Sequence, residues 1–419
     1  MEERIYIFYH LYCKNNGYDL FLKAFNKIKI YGLLNSVDKF FIVLVGPDKN
    51  LIYEKLLNHD FKFNLHIGQK DYGEMDTLDL IYDISLKEDF NLLYLHSKGA
   101  SHLDRDLPAF ILQNTNCWTD YLEYFCIKKY KRCIEKLKHY DICGVEWRSK
   151  PYPHFCGNFW WVKSSYIRNN LKRYSDNLKE VSDYNFLFNN KTIDEVKNNQ
   201  RLECEFWVGS GQLCNHFSFH QTNDDLNLYH NPYYIQNYMN IEKNTWPYII
   251  EDRISAWKGL ENYIIPIMNE FSIQPNLMLE FGVDYGYSTK LFSKIFKKVI
   301  GVDTFLSDIH TEHNQGDDFY YEVKNFLNNS NIDLLRMNYK SFIKNNTDFY
   351  DLIHIDIIHT YTETFECAEW SINHSNVVIL HDTISFPEIN KVCEDLKLKY
   401  NLNYYNIPNH HGLGILFRY

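Results

Sequence analysis

At 419 residues the chain exceeds what one hydrophobic core usually serves, so two domains are expected. Its formal net charge of -10, with no basic patch to override it, argues against nucleic acid as a partner. The ten cysteines include no C-x-x-C pair, no apolar run approaches a membrane span, and Met1-Glu2-Glu3-Arg4 lacks the apolar core of a signal peptide; the expectation is a soluble cytoplasmic protein with reduced thiols.

In the first half, strand-like and helix-like segments alternate. Arg4 to His10 reads as a strand and Gly17 to Ile30 as a helix with apolar spacing. Phe40 to Gly46 is a buried strand ended by Pro47, Phe63 to Ile67 a short strand, and Met75 to Leu86 a helix. Asn91 to His96 is a strand stopped at Ser97-Lys98-Gly99. Tyr121 to Leu137 reads as one long helix, Tyr140 to Val145 as a strand, and Asn158 to Val162 as an aromatic strand. Repeating units of this kind predict an α/β layer architecture. Leu171 to Gln200 is polar and poorly periodic, which suits an insertion, and order resumes over Arg201 to Gly209.

A Tyr/Asn-rich stretch, Tyr229 to Asn240, precedes a helical segment from Tyr248 to Phe271. The boundary is placed near 240, giving domains 1–240 and 241–419. Beyond it, four apolar strands each end in a polar group: Leu279-Glu280-Phe281-Gly282, Val299-Ile300-Gly301-Val302-Asp303, Asp351-Leu352-Ile353-His354-Ile355-Asp356, and Val377-Val378-Ile379-Leu380-His381-Asp382. Strands that deliver polar groups at their carboxyl ends line the ligand crevice of an open parallel sheet. Tyr404 to Ile407, the turn at Pro408 to Gly412 and Leu413 to Phe417 read as a closing hairpin.

Gly282 and Gly286 allow a sharp turn and a close backbone approach to a ligand, with a helix N-terminus behind them. A nicotinamide-binding sheet shares the acid after its second strand. Here the spacing is G-x-x-x-G instead of G-x-G-x-x-G, Glu280 precedes the first glycine, and an antiparallel hairpin closes the chain. On these residues Tyr248 to Tyr419 resembles the class I S-adenosylmethionine (SAM)-dependent methyltransferases, which implies a Rossmann-like domain. The resemblance implies that Glu280, Gly282, Gly286 and Ser288 hold the methionine end, that Asp303 accepts from the ribose hydroxyls, and that Asn338 and Ser341 sit near the adenine. The segment Ile355-Asp356-Ile357-Ile358-His359 with His381-Asp382-Thr383 is similar to the D-x-x-H and acidic-pair signature of sugar O-methyltransferases acting on macrolide glycosides. That similarity implies Asp356, His381 and Asp382 as ligands of Mg²⁺ or Mn²⁺, with His359 as general base. A metal with a nearby base makes deprotonation of a sugar hydroxyl feasible at neutral pH.

The first half offers Leu92 to Ser101, Tyr140 to Val145, His154 to Trp161 and Glu203 to Gly209. From about Ile5 to Gly211 these resemble GT-A-type glycosyltransferases of microbial and viral polysaccharide synthesis, implying a nucleotide-sugar-binding domain. Where that group usually carries D-x-D, this strand ends in His96-Ser97-Lys98. A lysine neutralises a diphosphate as a point charge, so His96 and Lys98, with Glu74 and Asp79 on the preceding helix, are the candidate donor-binding residues. Asp104-Arg105-Asp106 is a literal D-x-D beyond the turn. His154, Asn158, Trp160 and Trp161 are candidates for an acceptor floor, although alternation along a strand puts at least one indole in the core. Asp141 and Glu205 are the candidate bases of an inverting transfer.

The resulting expectation is a bifunctional glycan-building enzyme, taking a nucleotide-sugar donor and a glycan acceptor and methylating a sugar hydroxyl with SAM. A first domain that only binds the glycan acceptor is the alternative, and a pair of non-enzymatic scaffold domains a more distant one.

Overall fold

The computed structural model describes residues 4–69, 73–100, 107–150, 152–176, 203–211, 214–223, 226–251, 253–307 and 316–418. The chain divides into two compact units, Met1–Tyr234 and Ile235–Tyr419.

In the first unit, β1 (Ile5–Tyr12), β2 (Lys39–Val45), β3 (Asn64–Ile67) and β4 (Asn91–His96) run parallel, and β5 (Ile142–Gly144), β8 (Trp160–Lys163) and β9 (His216–Ser218) complete a seven-stranded sheet in the order β3-β2-β1-β4-β8-β5-β9. Strand β8 is antiparallel to both its neighbours. A two-stranded ribbon, β6 (Trp147–Arg148) with β7 (His154–Phe155), stands apart. The near-continuous apolar runs of β1 and β4 are buried throughout most of their length, as expected of parallel strands covered on both faces. Helix Gly17–Ile30 buries Phe21, Ala24, Phe25 and Ile28, one stripe at helical spacing.

One sequence expectation changes in this unit. The helix read over Tyr121 to Leu137 is the end of Ala109–Glu123, a wider π turn at Tyr124–Lys128, and a separate helix Tyr130–Leu137. The π turn interrupts the backbone ladder while its residues Tyr124 to Ile127 stay buried, so apolar spacing carried no sign of the break. Of the polar stretch Leu171 to Gln200, residues from 177 onward lie outside the described residues, as does Asp104-Arg105-Asp106.

In the second unit, helix Glu261–Phe271 leads into β10 (Leu277–Phe281); the segment before it, read as helical from Tyr248, is irregular. Strands β11 (Lys298–Asp303), β12 (Ile332–Arg336), β13 (Leu352–Ile355) and β14 (Val377–His381) follow, and β15 (Asn403–Ile407) and β16 (Leu413–Phe417) form the closing hairpin. The order is β12-β11-β10-β13-β14-β16-β15, parallel except for the hairpin. The order reverses between β10 and β13, which is where a doubly wound sheet opens a crevice at its carboxyl edge. All ten cysteines are free thiols.

Candidate active site

After β10 the chain turns through Gly282 at φ +87°, and the Gly282 amide donates to the Val302 carbonyl at 2.9 Å. A Cβ on Gly282 would stand 1.8 Å from the Asp356 carbonyl oxygen, so only glycine lets the turn lie against the end of β13. The Asp303 carboxylate joins the end of β11 to the same turn. Its Oδ2 accepts from the amides of Val283 (2.7 Å) and Asp284 (3.0 Å), and its Oδ1 from Phe305 (2.7 Å). Glu280 faces the other way. It is fully buried, accepts from the Thr289 hydroxyl, and its Oε1 lies 3.0 Å from Nδ1 of His354, its register partner on β13.

A cavity of about 560 Å³ opens at this edge, lined by Gly282, Asp303 and Asn338 and by Asp356, His359, His381 and Asp382. Seven sequence-predicted residues from five separate segments are thereby brought together. Glu280, Gly286, Ser288 and Ser341 do not line it. Glu280 is committed to Thr289 and His354, a Cβ on Gly286 would pack on Leu327, Ser288 is buried in its helix, and Ser341 is exposed. Asn338 caps the following helix, its Oδ1 accepting from the Lys340 amide at 2.9 Å. Sequence reasoning missed Ser255, Tyr285, Tyr339 and Glu363 in the wall. The Tyr339 hydroxyl donates to Glu363 at 2.6 Å, and Glu363 also pairs with Lys340 at 2.9 Å. Only the adjacency of Tyr339 to Asn338 could have signalled any of them.

Also in the wall of this cavity, two carboxylates meet two imidazoles. His359 Nε2 lies 2.8 Å from Asp382 Oδ2 and 3.5 Å from Asp356 Oδ1. His381 Nδ1 lies 3.3 Å from Asp356 Oδ2 and 3.4 Å from Asp382 Oδ2. Burial works to lower both imidazoles, but the nearby Asp356 and Asp382 outweigh it and lift His359 to about 9 and His381 to about 10. Burial works to raise the Asp356 carboxyl, yet the charge of His381 and the closeness of both imidazoles hold it well below the usual range. Donor atoms of Asp356, His359 and Asp382 all lie within 4.8 Å of one another. His381 is nearly fully buried, and neither of its ring nitrogens makes a hydrogen bond of good geometry. Carboxylate oxygens and imidazole nitrogen are a donor set that fits a divalent cation of the Mg²⁺ or Mn²⁺ kind.

In the first unit the order reverses between β1 and β4, with His10 beside His96. Just past that edge, Ser97 Oγ accepts from the Tyr12 amide at 2.9 Å, and Lys98 is 6% exposed with Nζ 3.7 Å from the Trp118 ring centre. No carboxylate pairs with Lys98 among the described residues. His96 Nε2 lies 3.0 Å from the Gly157 carbonyl oxygen. Glu74 is buried and accepts from the Tyr94 hydroxyl and, at 2.5 Å, from Asn158 Nδ2. Glu205, on the segment resuming at 203, acts electrostatically on Tyr94 and Cys156.

Five expectations are corrected here. Trp160 and Trp161 are both fully buried, Trp160 stacked on Tyr94 at 4.6 Å and Trp161 donating to the Cys126 carbonyl at 2.8 Å, because β8 lies inside the sheet with both faces covered. Asn158 is fully buried between Glu74 and Trp160 and has no face for a ligand. Asp79 is held by Arg173 (3.2 Å) and the Ser175 amide (3.0 Å). Asp141 precedes β5 level with Asn91, at the amino edge of the sheet; five residues at about 3.3 Å each separate it from the level of His96. His154 is buried, its Nδ1 2.7 Å from the Tyr152 carbonyl oxygen and its ring against Phe206.

Several solved structures are similar to part of the chain. An S-adenosylhomocysteine (SAH)-bound methyltransferase from Podospora anserina, PaMTH1, shares 9% identity and a TM-score of 0.29 over 34% of this chain and 72% of its own. An O-methyltransferase from Bacillus cereus in complex with SAH shares 11% identity and a TM-score of 0.27 over 34% of this chain and 74% of its own. A methyltransferase from Geobacter sulfurreducens shares 14% identity and a TM-score of 0.28 over 35% of this chain and 72% of its own. No curated protein matches the sequence. A family model described as a domain of unknown function, DUF8361, matches residues 8–223, just over half of the 419, and the chain belongs to that family.

Proposed function

We propose that the second unit is a SAM-dependent O-methyltransferase acting on a hydroxyl of a glycan. The observation that carries this reading is a single cavity lined both by the Gly282 turn and Asp303 and by the Asp356–His359–His381–Asp382 cluster. The antiparallel β15–β16 hairpin supports it further, because it separates a methyltransferase sheet from an all-parallel dinucleotide sheet. The cavity lies within the roughly 300–1,000 Å³ of small-molecule sites. In the reaction the carbon–sulfur bond of the sulfonium breaks, a carbon–oxygen bond forms at the acceptor, and the hydroxyl proton passes to the acid–imidazole cluster. Gly282 lets the backbone lie along the cofactor, and Asp303 keeps one lone pair of Oδ1 for a ribose hydroxyl. Glu280 supports the turn through Thr289 and His354 without touching the cofactor. A divalent cation held by the carboxylates would lower the pKa of the acceptor hydroxyl.

For the first unit the reading is a nucleotide-sugar site at the β1–β4 crevice, supported by the buried ammonium of Lys98 at that edge. The absence of D-x-D at the end of β4 favours the second reading, a module that binds glycan acceptor without transfer. Calorimetric titration of the full chain with SAM, SAH and a panel of UDP-, GDP- and dTDP-sugars tests both. SAM binding with no nucleotide-sugar binding would leave the methyltransferase and remove the glycosyltransferase. Failure to bind SAM or SAH would remove the methyltransferase.

A further inference from the structure

The two imidazoles of the acid cluster are held differently. The His359 ring lies flat on Phe386, with centroids 4.1 Å apart and planes 6° from parallel. That stack fixes the ring plane, and Nε2 points at Asp382 Oδ2 and Asp356 Oδ1. A general base needs its lone pair aimed at the place a substrate hydroxyl will occupy. Nε2 of His359 is instead aimed between two carboxylates. Asp382 takes φ +64°, a conformation that costs a non-glycine residue about 1 kcal/mol and that tends to persist where function requires it. His381 approaches the same two carboxylates, with its ring inclined 30° to Trp257 at 5.6 Å, but falls outside the group of donors within 4.8 Å. Its buried Nε2 has no hydrogen-bond partner, an independent sign that the cluster is completed by something besides protein.

We propose that His359 Nε2 is a metal ligand, completing a site of one nitrogen and two carboxylates that takes Mn²⁺ in preference to Mg²⁺. The inference rests on the reading that this cluster holds a divalent cation, and it changes the role of His359 from base to ligand. Mg²⁺ demands near-octahedral oxygen coordination and dehydrates reluctantly, whereas imidazole raises affinity for metals further along the Irving–Williams order. His381 acts as a positioning residue, holding Asp356 Oδ2 and Asp382 Oδ2 from the other side.

The test uses the full chain, stripped with chelator and reloaded with Mn²⁺, and reads nitrogen-14 couplings by pulsed electron paramagnetic resonance. Imidazole coupling is expected in the wild type and in His381→Ala, and its loss in His359→Ala. Displacement of Mn²⁺ is expected to need at least about tenfold more Mg²⁺. SAM titration of each variant checks that it is folded, and if His359→Ala fails that check, His359→Gln replaces it. Absence of nitrogen coupling in the wild type overturns the proposal, as does coupling that survives loss of His359, or equal affinity for the two metals. Bound SAM with no bound Mn²⁺ would overturn this proposal and leave the methyltransferase reading standing; bound Mn²⁺ with nitrogen coupling and no bound SAM would do the reverse.

Discussion

Replacing Gly282 with alanine puts a methyl carbon 1.8 Å from the Asp356 carbonyl oxygen, where ordinary contact begins at 3.4 Å. Something must therefore move by about 1.6 Å, the difference of those distances, and the Asp356 atom at the contact belongs to backbone. The left-handed φ of +87° adds about 1–2 kcal/mol for any residue with a Cβ, and overpacking of this kind costs about 1–3 kcal/mol more. A loss of about 2–5 kcal/mol is expected for the second unit, a large part of a typical margin. Gly286→Ala is the control. Its φ is +79°, but the new Cβ would meet only the Leu327 side chain at 3.0–3.1 Å, which can give way. Its cost should stay near about 1–2 kcal/mol. Urea unfolding measures the stabilities, with SAM calorimetry alongside. If Gly282→Ala lost less than about 0.5 kcal/mol, the range of inconsequential substitutions, and bound SAM like wild type, the close approach of the turn to Asp356 would be refuted.

Asp303→Ala removes the acceptor for three backbone amides, so a loss of about 2–3 kcal/mol at roughly 1 kcal/mol per bond is expected, together with weaker SAM binding; an unaltered urea midpoint would contradict it. Lys98→Met removes a buried ammonium that lacks a carboxylate partner among the described residues. Stability of the first unit should hold or rise while nucleotide-sugar binding disappears, and retained binding would count against the Lys98 site. The two units should respond to pH with opposite sign. Burial lowers His66, His216 and His220, so the stability they allow the first unit is present above about 6.5 and declines as pH falls below it. His359 and His381 are raised to about 9 and about 10, so in chelator-treated protein their contribution is complete below about 6.5 and is lost as pH rises through those values. Hydrogen exchange resolved by unit at pH 5.5, 7 and 9.5 would show whether the trends diverge.

The residues legible in the sequence are those whose place follows from the strand that carries them. Asp303, Asp356 and Asp382 each stand at or just past the carboxyl end of an apolar run, and parallel pairing then brings the ends together whatever lies between. His359 was found because it stands three positions after Asp356, in the D-x-x-H pattern. Glu280 follows the same pattern yet turns away from the cavity, since its direction is decided by Thr289 and by His354 on the neighbouring strand. Trp160 and Trp161 failed for a related reason. Alternation puts adjacent indoles on opposite faces, but whether either face is open depends on the Cys126 carbonyl and on Tyr94, both distant in sequence. Asp141 stood at the start of its strand in the sequence reading, and the antiparallel run of β8 and its register with β4 place that start at the amino edge of the sheet.

The contact between Gly282 and Asp356 also has a thermodynamic side. The Asp356 amide donates to the Phe281 carbonyl at 2.8 Å, and the Asp356 carbonyl lies under the Gly282 Cα, so the turn and the start of the acid cluster share one stretch of backbone. Whatever settles the turn also settles Asp356. Linkage makes such a relation reciprocal: if filling the turn changes affinity at the acid cluster, filling the cluster changes affinity at the turn by the same factor. The coupling that this backbone crossing allows is therefore the same whichever of the two is filled first.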